Sequence, residues 1–180
     1  MMENTMNRRH IFSLSVIPAL ALMLPGAATA QQKTLKEQLA GTWTAVSWEQ
    51  VGKDGSKFER FGANPKGVNV FDANGRFVVM FARADLPKIA SNNPSNPTPE
   101  EAKAIAGGAI SYFGTYSVDE ANKTITLRIE ASSYPNLIGA DQKRLITSLT
   151  SDELKYSNPA PTTGGTIDVG LRRAERSMSQ

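Results

Sequence analysis

The stretch Ala40-Gly41-Thr42-Trp43-Thr44-Ala45-Val46-Ser47-Trp48-Glu49 decides how this chain is read. Just before it, Thr34-Leu35-Lys36-Glu37 has the spacing of a capping box, with Thr at the N-cap and Glu three residues on. A short helix carrying Leu35 and Leu39 is therefore expected to end at Gly41, since glycine accepts positive φ beyond a helix end. A strand then opens on Trp43. Strict alternation puts Trp43, Ala45 and Ser47 on one face and Thr44, Val46 and Trp48 on the other. Helix, glycine and two-faced strand make the start of a β domain.

Upstream lies a different kind of sequence. Arg8 and Arg9 precede an apolar run at 11–24, and Ala28-Thr29-Ala30 forms a small-x-small site before Gln31. These are the three parts of a secretory signal. The run is shorter than the roughly 20 residues a spanning helix needs. The expected division is a signal peptide at 1–30 and one domain at 31–180, with a periplasmic or secreted product and no permanent membrane span. Arg8-Arg9 followed by Phe12 fits twin-arginine export and also an ordinary Sec signal.

Composition excludes several chemistries. The chain has no Cys, and its one His, His10, falls inside the signal. The domain after residue 30 therefore lacks Ser-His-Asp and Cys-His catalysis, the usual zinc sites and His-ligated haem. No acidic loop has the dense carboxylates of a calcium site. No metal and no cofactor are expected. The formal net charge is +3, but its cations are scattered among acids rather than gathered in a phosphate-tracking run. No nucleic-acid partner follows.

Beyond Glu49 the pattern is mostly strands and turns. Strands are expected at 43–51, 57–61, 68–71, 76–83, 109–118, 123–130, 142–149, 153–157 and 166–173. Asp72-Ala73-Asn74-Gly75 marks a hairpin, with Asn-Gly supplying positive φ. Val68 and Val70 with Phe77, Val79 and Phe81 supply alternating apolar positions. Val78 and Met80 make the opposite face apolar too, which suggests a covered outer wall. Residues 85–98 are rich in Pro, Ser and Asn and cannot continue a sheet. Thr98-Pro99-Glu100-Glu101 then starts a second helix, ended by Gly107-Gly108. About eight short strands joined mainly by tight turns give an all-β fold: an up-and-down antiparallel barrel whose closure removes the exposed edges. The inserted helix is expected over one barrel opening, with the 134–139 loop on the same rim and the Leu35–Leu39 helix shutting the other end.

Several segments together resemble the bacterial lipocalin-like domain family, a group of calycin-type barrels. They are Gly41-Thr42-Trp43, Ser47-Trp48-Glu49, Asn64-Pro65-Lys66-Gly67, Asn74-Gly75-Arg76, and the more specific Tyr112-Phe113-Gly114-Thr115-Tyr116-Ser117-Val118-Asp119, followed by Glu130 and Tyr134-Pro135-Asn136. Family members often carry Trp after Pro-Asn and His in the strand before that loop. Here Leu137 and Leu127 or Arg128 stand in those places. The resemblance implies a lipocalin-like barrel with a small-molecule ligand as partner, and no particular activity. It also implies a structural anchor of Gly41, Trp43 and an Arg of the last strand. Arg173 shares a register with Ile167, Val169 and Leu171 and is the better candidate.

Polar groups on barrel strands are the candidates for ligand contact. An Arg or Tyr directed inward is costly unless hydrogen-bonded, so it suits a polar ligand group. Arg83, Tyr112, Tyr116, Arg128, Glu130 and Tyr134 form the expected set, and Arg144 is a strand residue of the same kind. Glu130 and Asp141 flank the Tyr134 loop as an acid–base pair could, although no residue is assigned a catalytic role. The expected function is binding of a small apolar or amphipathic molecule inside an exported barrel. One alternative is a cofactor-independent isomerase, cyclase or hydrolase using carboxylate, Tyr and Arg groups. The other is a filled barrel acting through its surface.

Overall fold

The computed structural model describes residues 1–2 and 33–175. The signal expected at 1–30 lies, apart from Met1 and Met2, outside the described residues. The chain from residue 33 folds into helix α1 (Leu35–Leu39), strands β1 (Gly41–Val51), β2 (Lys57–Phe58), β3 (Lys66–Phe71) and β4 (Arg76–Ala82), helix α2 (Pro99–Gly108), and strands β5 (Ala109–Asp119), β6 (Thr124–Ser132), β7 (Asp141–Leu149), β8 (Glu153–Asn158) and β9 (Thr166–Arg173). A single 3₁₀ turn, Pro135–Leu137, sits between β6 and β7. Among the described residues no helix is long and apolar enough to cross a membrane.

Every strand pairing is antiparallel, in the order β2-β1-β3-β4-β5-β6-β7-β8-β9, and β1 also pairs with β9. Eight strands thus close a barrel, as the spacing of the turns predicts. The extra strand β2 is two residues long and lies against the far end of β1. The remainder of the strand expected at 57–61 does not pair. It instead delivers Phe61 into the interior, edge-on to Trp48 at 5.1 Å and stacked on Phe81 at 5.7 Å.

Two faces differ from simple alternation. Trp43 and Trp48 are both buried, though an odd spacing should send them to opposite sides. The pairing of β1 with β9 shifts between Ala45 and Ser47, so Val46 is a bulge that restores an inward direction to Trp48. In β3 the inward residues are Asn69 and Phe71, not Val68 and Val70. Those valines pair with Met80 and Val78 across the outer wall. Val78 and Met80 stay 46% and 48% exposed, so the outer cover expected from their apolarity is not provided by α2. A second bulge, at Glu130, brings β5 and β6 together so closely that a Cβ at Gly114 would run into the Arg128 carbonyl.

One end of the barrel is filled. Leu39, Trp43, Phe71, Phe77, Ile125, Leu127, Leu154 and Leu171 are buried, part of one core that continues to the cavity walls. α1 is capped by the Thr34–Glu37 box and fastened at its start by Glu120, which accepts from the Leu35 and Lys36 amides at 2.8 and 3.2 Å. At its end the Trp43 indole N–H donates to the Leu39 carbonyl at 2.8 Å. The Arg173 guanidinium lies 4.0 Å from the Trp43 ring centroid and donates to the Ala40 and Gln38 carbonyls at 3.1 and 2.7 Å, and also to Ser151. Gly41 has φ +135°, and a Cβ there would press on the Arg173 guanidinium at 2.7 Å. The bare glycine is what lets the arginine pass.

Candidate functional site

At the opposite end the interior is open. The end of β1, the ends of β4 and β8 and the starts of β5, β7 and β9 surround a cavity of about 510 Å³. Its apolar walls are Trp48 from β1, Phe81 from β4, Ile110 and Tyr112 from β5, and Ile167 and Val169 from β9. Its polar walls come mainly from β7 and β8: Gln142, Arg144, Tyr156 and Asn158.

Arg144 faces inward because of its register. It pairs with Ile125, and Gln142 pairs with Leu127. Directly paired residues share a sheet face, and Ile125, Leu127 and Ile129 all point to the core. Arg144 is accordingly 6% exposed. Its Nη1 donates to the Lys143 carbonyl at 2.8 Å, and among the described residues it joins no ion pair. Tyr156 stands beside it. The Tyr156 hydroxyl accepts from Asn69 Nδ2 at 2.9 Å, across the barrel from β3. Burial pushes that hydroxyl well above its usual value, Tyr112 adds to the push, and Arg144 and Asn69 offset part of it. Tyr156 is therefore a neutral O–H at any ordinary pH. Asn69 is fully buried, and its Oδ1 has no partner among the described residues.

The cavity has a roof. Lys103, Ala106 and Gly107 of α2 border it, as do Tyr134 and Leu137 of the loop after β6. The helix starts at a capping box, Thr98 with Glu101 and Pro99 at the first turn. Glu101 also accepts from the Ala90 amide at 2.9 Å, which ties the proline-rich loop to the helix start. The hydrogen bonds to Ala90 and Thr98 hold its carboxyl below the usual range. At the other terminus Arg60 donates to the Gly107 and Ala106 carbonyls at 2.9 and 3.3 Å. This satisfies carbonyls that the helix leaves unpaired and places a cation at the negative end of its dipole. Burial draws the Arg60 guanidinium below its ordinary value, with Tyr134 partly opposing.

The residues expected from sequence are distributed as follows. Tyr112 and Tyr134 line the cavity. Arg83 does not; it forms an exposed two-pronged pair with Asp85 at 2.8 and 2.7 Å. Tyr116 lies toward the filled end, where its hydroxyl donates to the Asp72 carbonyl at 2.7 Å and its ring meets Phe71 edge-on. Arg128 points outward. Glu130, the bulge residue, pairs with Arg76 at 2.6 Å on the surface. Asp141 is exposed at the start of β7, so neither carboxylate of the conceived acid–base pair borders the cavity. Tyr156, Asn69 and Arg60 were not singled out by sequence reasoning. The register signal for Arg144 was available: it stands opposite the first of three alternating isoleucine and leucine residues on the neighbouring strand.

The lipocalin-like domain profile matches residues 40–168. A lipocalin-like protein from Bacteroides uniformis aligns at 16% identity over 76% of this chain and 99% of its own, with a TM-score of 0.44. A second Bacteroides uniformis protein, solved by NMR, aligns at 22% identity over 79% of this chain and 94% of its own, with a TM-score of 0.42. A de novo designed fluorescence-activating β-barrel aligns at 13% identity over 79% of this chain and all of its own, also at 0.42. No curated protein sequence matches the chain. The profile match spans most of the barrel, from the residue before Gly41 into β9, and on it the chain belongs to the lipocalin-like domain family.

Proposed function

We propose that this is an exported binding protein that takes a small amphipathic molecule into the open end of its barrel. The observation that carries the reading is the cavity of about 510 Å³, with Trp48, Phe81, Ile110, Ile167 and Val169 on one side and Arg144 and Tyr156 on the other. Volumes of roughly 300–1,000 Å³ with mainly apolar walls and a few placed polar groups are those of small-molecule sites. The signal-like segment at 1–30 supports export. The alternative of a barrel acting through its surface leaves that space without a use. A carboxylate-based hydrolase finds no Asp or Glu among the described residues of the cavity wall.

Native mass spectrometry of the protein recovered from its own periplasm tests the reading. A small molecule of defined mass, released on denaturation, is the expected result. A bare protein whose tryptophan emission is also indifferent to anilinonaphthalene sulfonate would overturn it, because Trp48 forms part of the cavity wall.

A further inference from the structure

We propose that the ligand is an anion, an amphipathic molecule whose carboxylate head is held by Arg144 and the Tyr156 hydroxyl. This rests on the binding-protein reading and narrows it to a ligand class. The first observation is charge. Arg60, Lys103 and Arg144 border the cavity, and among the described residues no Asp or Glu does. A cavity of one sign in a low-dielectric wall concentrates the opposite charge.

The second observation is a buried guanidinium without a counter-ion among the described residues. Arg144 is almost fully buried, donates to the Lys143 carbonyl and sits against the neutral Tyr156 hydroxyl, and among the described residues no carboxylate pairs with it. A guanidinium has five N–H donors in a planar fork. Burying that fork without an anion is costly, and proteins normally pair it. Elsewhere in this chain even exposed arginines find carboxylates: Arg76 has Glu130 and Arg83 has Asp85. Arg144 has the burial and lacks the carboxylate. The chemistry that completes it is a planar, two-oxygen anion.

The third observation is the neighbouring hydroxyl. Tyr156 accepts from Asn69 on its oxygen, and its own proton is donated to no described residue. Asn69 does not border the cavity, so it fixes the hydroxyl from behind. Guanidinium and phenol then offer donors side by side, and nothing at the wall repels a negative head. The apolar surface of Trp48, Phe81 and Val169 receives the rest of the molecule.

The test is a matched comparison on the intact protein. Dodecanoate and dodecan-1-ol, and tetradecanoate and tetradecan-1-ol, share their chains and differ in the charged head. Calorimetric titration should find each carboxylate bound about tenfold tighter or more than its alcohol. Arg144→Met should reduce that preference to about threefold or less while leaving alcohol binding in place. Its melting temperature without ligand should stay level or rise, since a buried unpaired charge is removed. Arg144→Lys, which keeps charge and loses the fork, should retain a weakened preference. Tyr156→Phe should weaken carboxylate binding by about threefold to tenfold. Equal binding of carboxylate and alcohol by the unaltered protein overturns the anionic head and leaves the binding-protein reading standing. So does a preference that survives Arg144→Met. If neither probe series binds, the binding-protein reading itself falls and this inference goes with it.

Discussion

Two arginines, Arg173 half-buried and Arg144 buried, mark the two ends of the barrel, and their surroundings differ. Arg173 stacks on Trp43 and donates to carbonyls of Gln38, Ala40 and Ser151. Arg144 donates to the carbonyl of its own neighbour, Lys143. The first guanidinium joins α1, β1, β9 and the β7–β8 turn into one unit. The second stands in a wall with space before it. A satisfied polar network rigidifies what surrounds it, and an incomplete one is where a partner is missing. The comparison separates the end that holds the fold together from the end that is free to bind.

Truncating the two tryptophans should give the largest effect and sets the ends directly against each other. Trp43→Ala removes a fully buried ring and the platform for Arg173, and should cost about 3–5 kcal/mol. Trp48→Ala acts on a ring that already faces space on one side, and should cost about 2 kcal/mol. Urea denaturation of both variants measures the difference. Equal losses would erase the distinction between a packed and an open end.

Alkaline stability should show a smaller effect. Burial raises the Tyr156 hydroxyl above its usual value, so the folded state favours the protonated form. Its contribution is complete below the unfolded tyrosine value near 10 and is lost as pH rises from there through the higher folded value. The slope approaches about 1.4 kcal/mol per pH unit for such a group. Tyr116 is raised too, by burial first and by Asp72 second, and acts in the same direction from the other end. Denaturation at about pH 9 and about pH 11 should therefore show falling stability, and Tyr156→Phe should remove part of the fall. A Tyr156→Phe variant with an unchanged pH slope would place the charge-sensitive group elsewhere.

The smallest stability effect should come from the loop that leads to the roof. Ala90 and Thr98 both donate to the Glu101 carboxylate, so the two points are already close in space. Deleting residues 91–97 should change barrel stability by less than about 1 kcal/mol. Ligand association and dissociation rates should change, since the helix they feed borders the cavity. Stopped-flow emission measurements would read both. A large loss of stability would mean that the loop supports the barrel rather than the roof.

Much of this fold was legible in the sequence because its signals are local. Both helix starts were written as Thr-x-x-Glu, and both capping boxes form. Asp72-Ala73-Asn74-Gly75 turns the β3–β4 hairpin as expected, with Gly75 at φ +92°. What stayed hidden were the insertions in register. The bulge at Val46 leaves composition untouched, yet it reverses the face of Trp48. Val68 and Val70 obeyed alternation but on the outer wall, so the polar residue between them, Asn69, became the interior one. The binding candidates suffered from the same ambiguity. Arg83, Arg128 and Arg144 are alike as isolated letters. Their directions depend on which neighbour each strand pairs with, and that is a property of the closed barrel.

Arg60 gives the roof a mechanical character. It grips the last carbonyls of α2, and the next residue, Phe61, is wedged between Trp48 and Phe81 in the cavity wall. Lifting the helix pulls on that wedge. Releasing the helix end means breaking these two charge-assisted hydrogen bonds and the one from the Arg83 amide to the Gly108 carbonyl. Roof and aromatic wall are thus held by adjacent residues of one segment, which ties the seat of the helix to the packing of Trp48 and Phe81.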